Sequence, residues 1–372
     1  MTFSQFVSTI NEDALYHSVG CTANENIPVI LEKQYLDYQD FLALLSPAAG
    51  PYLDKMIERA RKMTRDQFGN TVRLYVPLYL SNECINSCVY CGFNHGKKIR
   101  RKTLNKEELL KELTILKKIG FQHILLLTGD KAEVAGADYV TEAIKLTSEY
   151  FPYISLEIFA ATAEEYSKFA AAGANGLTIY QETYHKPTYK TMHLKGPKKD
   201  YLWRLDSPDR ALSAGIRKIG IGALLGLYDW RYEMALVGAH AYYLAKQYWR
   251  AELSVSFPRL RDISGKLFQT YQVDDKSLVR IITAFRLFLP WIDLVLSTRE
   301  SASLRDQLVG IGITQISAES RTNPGGYNQS DSSEQFSVAD NRSLEEVKIM
   351  LAQKGFDPVL KDWSYELQGN SV

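Results

Sequence analysis

The sequence predicts an α/β protein built as a closed (β/α)8 barrel of the TIM type. Three observations lead there. Eight apolar runs recur along the chain, helix-like segments separate them, and polar or special residues gather where most of the runs end. Residues of that kind collect at the C-terminal ends of barrel strands, where catalytic groups sit. An open doubly wound sheet is the second architecture that such alternation allows.

Residues 1-70 read as a helical leader that includes "YLDYQDFLALLS" and "YLDKMIERARKMTRDQFG". Strands are then expected at 71-80, 123-129, 154-160, 176-183, 218-226, 251-258, 292-298 and 313-320. Several are rich in Ile, Leu and Val with little alternation, as strands covered on both faces should be. After the first strand, Asn105 and Glu108 form a capping box, Leu109, Leu113 and Leu116 repeat at helical spacing, and Gly120 stops the helix. Ser207 with Pro208 begins another helix, and "EMALVGAHAYYLAKQY" and "DKSLVRIITAFRLFL" supply two more. The polar clusters are the cysteines, Thr128-Gly129-Asp130, Gln181-Glu182-Thr183, Ser256 to Arg259, Ser297 to Glu300 and Ser317 to Arg321. Beyond the last strand, a long Ser-, Asn- and Gly-rich segment reads as a lid or a linker, and Ser343 with Glu346 caps a final helix. The expected division is a leader over 1-70, a barrel over 71-320, and a polar loop with a helix packing on the barrel over 321-372.

Composition excludes some functions. Lys and Arg number 44 against 43 Asp and Glu, so no net basic field gathers nucleic acid or anionic membrane, and a small ligand is expected. The first twenty residues lack a basic stretch followed by an apolar core, and no run of about 18 apolar residues occurs, so a cytoplasmic location is expected. Four cysteines, three of them clustered, make no disulfide framework.

The cluster is "NECINSCVYCGF", with Cys84, Cys88 and Cys91 spaced Cys-x3-Cys-x2-Cys. Zinc with His95 as fourth ligand would form a very tight knuckle. A Cys88–Cys91 redox pair would leave Cys84 idle. An iron-sulfur cubane on three thiolates uses all three and leaves one iron open to a small molecule, since Cys21 lies far away in the leader.

That spacing, with Tyr90 just before the last cysteine, resembles the signature of the radical S-adenosylmethionine superfamily. "LLLTGD", "YQETYH", "HLKGPKKDYLWRLDSPDRA", "KIGIGALLGL", "SVSFPRLR", "LSTRES" and "NPGGY" together resemble its tyrosine lyases of thiazole biosynthesis, from about residue 40 to the C-terminus. The resemblance implies a [4Fe-4S] cluster on Cys84, Cys88 and Cys91, with S-adenosylmethionine on the open iron. It implies Tyr90 beside the adenine, Gly129 and Asp130 at the methionyl part, Glu182 on the ribose hydroxyls, and Arg204 on the methionine carboxylate. For the substrate carboxylate, Arg321 is the first choice, with Arg259 and Arg299 as rivals and Ser256 nearby. No histidine receives a catalytic role.

The reaction implied is hydrogen-atom removal from the amino group of L-tyrosine and Cα–Cβ cleavage to 2-iminoacetate and p-cresol, by a radical derived from S-adenosylmethionine. Reduced flavodoxin or ferredoxin is the implied electron donor and thiazole synthase the implied partner. A tryptophan-cleaving lyase is an alternative, and a zinc-stabilised binding protein a more distant one. The tyrosine lyase of hydrogenase maturation needs a second, C-terminal cluster, and no cysteine follows Cys91.

Overall fold

The computed structural model describes residues 1–21, 26–260, 269–328 and 331–360. Residues 361–372 of the expected C-terminal segment lie outside the described residues. Each expected apolar run coincides with a strand: β1 Thr71–Ser81, β2 His123–Thr128, β3 Tyr153–Glu157, β4 Gly176–Thr178, β5 Lys218–Gly222, β6 Glu252–Ser256, β7 Asp293–Leu296 and β8 Gln315–Ser317, with β1 and β3 each reaching one residue past the run. All are parallel and pair in sequence order, and β1 joins the two ends of the series, with Leu74 opposite Ile316 of β8 and Leu78 opposite Leu126 of β2. The barrel is therefore closed, and the open sheet is excluded.

A ninth strand, β9 at Asp357–Val359, was not foreseen. It pairs with Thr71–Arg73, whereas β2 pairs with β1 only from Val76 onward. The first residues of β1 would otherwise present unpaired backbone groups on that side. Proline in "DPV" hides the strand in the sequence, although an edge position tolerates it.

Strands β4 and β8 are shorter than expected. Glu182 and Glu319 have φ of 68° and 53°, and no other described residue except glycine has positive φ. That conformation is uncommon for residues with a Cβ, and past β4 only isolated pairing remains, with Glu182 bridging Ala223. Both residues lie just beyond strands at the C-terminal mouth.

The helices follow their end signals. Lys106–Ile119 is capped by Asn105 in a box with Glu108 and ends at Gly120 in a left-handed conformation. The helix Ser207–Ser213 carries Pro208 in its first turn, with Asp206 at its N-cap. Leu344–Gln353 begins with the Ser343–Glu346 box. Residues of the leader share one apolar core with the barrel. Phe41, in the helix Tyr38–Leu45, stacks on Phe288 with ring centroids 4.6 Å apart and lies against Gly238, where a Cβ would come within 2.2 Å of its ring. At the N-terminal end of the barrel, Lys218 on β5 pairs with Asp293 on β7 at 2.7 Å, and Arg73 on β1 reaches the same carboxylate at 3.2 Å. No described helix is long and apolar enough to cross a membrane.

Candidate active site

The loop from Asn82 crosses the mouth where β1 ends, and a dense set of bonds fixes it. The Ile85 amide donates to the Asp130 carbonyl at 2.9 Å, and Asn86 Nδ2 donates to Asp130 Oδ2 at 2.8 Å. Arg101 donates from below to the carbonyls of Asn82, Phe93 and Asn94. Gly129 is required because a Cβ there would lie 2.1 Å from the Glu83 carbonyl oxygen. The Thr128-Gly129-Asp130 turn thus seats the cysteine loop, a role beside the methionyl contact that the sequence suggested.

Cys84, Cys88 and Cys91 are free thiols. Cys84 and Cys91 pack on an apolar wall that includes Tyr79, Phe93 and Ile99. Burial pushes the Cys88 thiol up to about 12 and also raises Cys91, and the three sulfurs act electrostatically on one another. Among the described residues no three His, Cys, Asp or Glu side chains converge closely enough for a single metal ion. A cubane does not need such a point, because each thiolate takes a different iron. Soft sulfur donors in a water-poor wall fit that group. Cys21 lies in the leader, where its carbonyl accepts from the Ala48 amide.

Beside Cys91 opens a cavity of about 290 Å³ lined by Tyr90, Glu157, Tyr180, Glu182, Lys198 and Arg299, among others. Tyr90 donates its hydroxyl to His193 Nε2 at 2.8 Å, because His193 Nδ1 is 2.9 Å from the Tyr189 carbonyl, which can only accept. Burial lowers His193 to about 3, so the imidazole is neutral and orients Tyr90. Glu182 is 2.6 Å from Lys198 Nζ and 3.9 Å from Arg204 Nη2. Burial opposes its ionisation, but Lys198 and Arg204 outweigh this and hold its carboxyl below the usual range. Arg204 donates from Nε to the Tyr180 carbonyl at 2.7 Å.

The three arginines named for the substrate separate clearly. Arg299 lines the cavity with its guanidinium 3.5 Å from the centre of the Phe336 ring. Arg259 is occupied by Glu300 and by Asp275 at 2.8 Å. Arg321 is exposed and does not line the cavity. Of the three, Arg299 is the one that lines the cavity, whereas the Arg321 side chain is exposed between the buried Ser320 and Thr322. Ser256 is buried in the barrel interior, where it lines a separate small cavity together with Tyr180. It faces the larger cavity only through that tyrosine.

Among the lining residues that sequence reasoning missed are Glu157, Tyr180, Lys198 and Gln335. Alternation offered a signal for two of them, since Ser155 with Glu157 and Thr178 with Tyr180 place polar groups on the inward face of their strands. Gln335 comes from the polar segment after β8, which packs over the mouth as a lid. Its Oε1 accepts from Tyr79 at 2.7 Å, its Nε2 lies 3.9 Å from Cys91 Sγ, and a Cβ on Gly92 would meet its carbonyl at 2.2 Å.

A parallel barrel whose first strand leads into three clustered cysteines beside a polar cavity defines the class. Residues 78–236 match the Radical SAM superfamily, and residues 256–357 match the Biotin and Thiamin Synthesis associated domain. The chain belongs to the 2-iminoacetate synthase family. It is 42% identical to the 2-iminoacetate synthase of Escherichia coli (strain K12) over 97% of each chain. It is 45% identical to that of Salmonella typhimurium (strain LT2), with 90% of this chain and 89% of the relative covered. Among solved structures, the FeFe-hydrogenase maturase HydG from Carboxydothermus hydrogenoformans is 33% identical with a TM-score of 0.84, over 97% of this chain and 83% of that one. Methylornithine synthase (PylB), at 21% identity and a TM-score of 0.74 over 92% of this chain and 99% of that one, shares the fold.

Proposed function

We propose that this chain is a carbon–carbon lyase that cleaves L-tyrosine at Cα–Cβ to 2-iminoacetate and p-cresol for thiazole formation. The observation that carries the reading is the three-cysteine loop opening directly onto a cavity that holds a cation, Arg299, and an anion, Glu157, neither of them ion-paired among the described residues, within a chain of this family. Cys84, Cys88 and Cys91 would hold a [4Fe-4S] cluster, and Tyr90, Glu182, Arg204, Gly129 and Asp130 would surround S-adenosylmethionine. When bound, these groups together supply a 5′-deoxyadenosyl radical.

The chain's own residues position and shield. Arg299 offers a planar fork to the substrate carboxylate, and stacking on Phe336 holds that fork in place. His193 fixes the Tyr90 ring, and Lys198 keeps Glu182 ionised and oriented. The lid residues Glu334 to Ser337 line the cavity and limit entry of water and oxygen.

The electron donor is reduced flavodoxin or ferredoxin, both small acidic proteins. Two basic segments flank the cysteine loop and are bonded to it: Ser87 N donates to the Lys195 carbonyl at 3.0 Å, Lys198 N to Asn86 Oδ1 at 2.9 Å, and His95 N to the Asn86 carbonyl at 2.9 Å. Lys97, Lys98, Arg100, Lys195 and Lys199 are exposed there, although the whole chain has a net charge of only +1. The imine product hydrolyses in water, which favours transfer to thiazole synthase in the cytoplasm.

The test is anaerobic reconstitution with iron and sulfide, followed by turnover with dithionite, S-adenosylmethionine and L-tyrosine. Formation of p-cresol with 5′-deoxyadenosine is expected in the wild type and in Cys21→Ala. Cys84→Ala, Cys88→Ala and Cys91→Ala should form neither. Activity that survives in those three and fails in Cys21→Ala would overturn the assignment.

A further inference from the structure

Three carboxylates line the cavity, and two of them are accounted for. Glu182 is paired with Lys198 and Arg204, and Glu334 is exposed at the rim. Glu157 is the last residue of β3 and the only one in that strand that is not buried, because its side chain opens into the cavity. No hydrogen bond or ion pair engages its carboxylate among the described residues. Arg299, just beyond β7, likewise donates no hydrogen bond from its guanidinium to any described residue. An α-amino acid carries one cation and one anion on the same carbon, so a lone carboxylate and a lone guanidinium in one chamber match both groups.

We infer that Glu157 receives the α-ammonium group of the amino-acid substrate and accepts one of its protons, while Arg299 holds the carboxylate. The inference rests on the tyrosine-lyase reading and adds a residue that sets the amine's position and protonation. In the step itself one N–H bond breaks, its electron pair stays on nitrogen, and the proton forms an O–H bond on Glu157. No electron is transferred. The neutral amine left behind is the form from which a hydrogen atom can be removed without leaving a second positive charge beside Arg299. The same proton is then available to the cresyl fragment, whose radical first takes one electron from the reduced donor protein, or from dithionite in the assay, before it is protonated to p-cresol.

The surroundings suit this exchange. Burial, with Glu182 adding to it, raises the Glu157 carboxyl to about 7, while Arg299, Lys198 and Arg204 oppose the rise. Tyr79, Tyr75 and Tyr180 also face it, and each is itself raised by burial and so remains neutral. A base matched to the working pH both accepts and returns a proton readily.

The test compares wild type, Glu157→Gln and Glu157→Asp in anaerobic, dithionite-driven turnover. p-Cresol and 5′-deoxyadenosine are followed against tyrosine concentration and pH, and inhibition by 3-(4-hydroxyphenyl)propionate is measured alongside. In the wild type, kcat/KM for tyrosine should fall as pH drops below about 7, where Glu157 gains its proton. Glu157→Gln should raise KM by about ten- to a hundredfold and replace that limb with a rise continuing past about pH 8, where an amine loses its proton unaided. Glu157→Asp should recover part of the rate and the original limb. The propionate, which lacks the amine, should inhibit all three equally. An unchanged pH profile in Glu157→Gln, or weaker propionate inhibition in that variant, would overturn the inference, the latter by moving Glu157 to the phenol or the carboxylate. Absence of p-cresol from the wild type would instead remove the lyase reading and this inference with it.

Discussion

Arg299 and Arg321 leave neighbouring strands with the same charge and meet different surroundings. Arg299 faces the cavity against Phe336, whereas Arg321 is exposed. Arg299→Ala is therefore expected to raise the tyrosine requirement by about ten- to a hundredfold. It should also lower the yield of p-cresol per 5′-deoxyadenosine, because a displacement of about 1 Å can cost about a hundredfold in rate. Arg299→Lys keeps the charge without the planar fork and should retain part of the activity. Arg321→Ala should behave as wild type, and the reverse order in steady-state assays would return the carboxylate to Arg321. At this scale the sequence made residue types legible: three thiols at one spacing, an acid after Gly129, arginines at strand ends. It did not make direction legible, because which strand-end side chain turns inward depends on where the backbone leaves the ladder. Glu157 was missed for another reason, being a single acid within an apolar run with no cluster to mark it.

At the scale of elements, the turn after β2 and the loop after β1 form one unit. Gly129→Ala would push a Cβ against the Glu83 carbonyl, and backbone cannot yield as a flexible side chain can. The variant should keep the far-ultraviolet circular dichroism of the wild type while retaining less iron after reconstitution and desalting. Full iron content would show that the loop shifts without harm. The other end of the barrel carries a different device. Burial opposes ionisation of Asp293, but Lys218 and Arg73 outweigh it and hold its carboxyl far below the usual range. Lys218→Met leaves that charge buried with one partner fewer and should cost about 3–5 kcal/mol in urea unfolding at neutral pH. Because the folded-state pKa is depressed, this contribution is complete above the unfolded value of about 3.9 and is lost as pH falls beneath it, so wild type and variant should converge in acid. A constant gap down to about pH 3 would contradict the pairing. Elements with caps and eight parallel strands were readable from local pattern. β9 was not, since it exists only because β1 overhangs β2 at a site more than two hundred residues away in sequence.

Across the whole molecule, the leader shares the barrel's core and the segment after β8 covers the mouth, leaving the cysteine loop bordered by two basic segments. Replacing Lys98, Lys195 and Lys199 by Glu should slow flavodoxin-driven turnover most at low ionic strength, because steering by charge acts on encounter. The dithionite-driven rate should stay near wild type. Equal loss with both reductants would place these lysines in a structural role. The central claim is that the thiolate loop and the cavity together deliver a radical to the amine of tyrosine. It is tested most directly by anaerobic turnover in deuterium oxide, where the amine hydrogens have exchanged, with 5′-deoxyadenosine weighed by mass spectrometry and p-cresol counted beside it. The account predicts p-cresol matched by 5′-deoxyadenosine that carries one deuterium. Matched products with no deuterium in 5′-deoxyadenosine, or 5′-deoxyadenosine with no p-cresol, would contradict it.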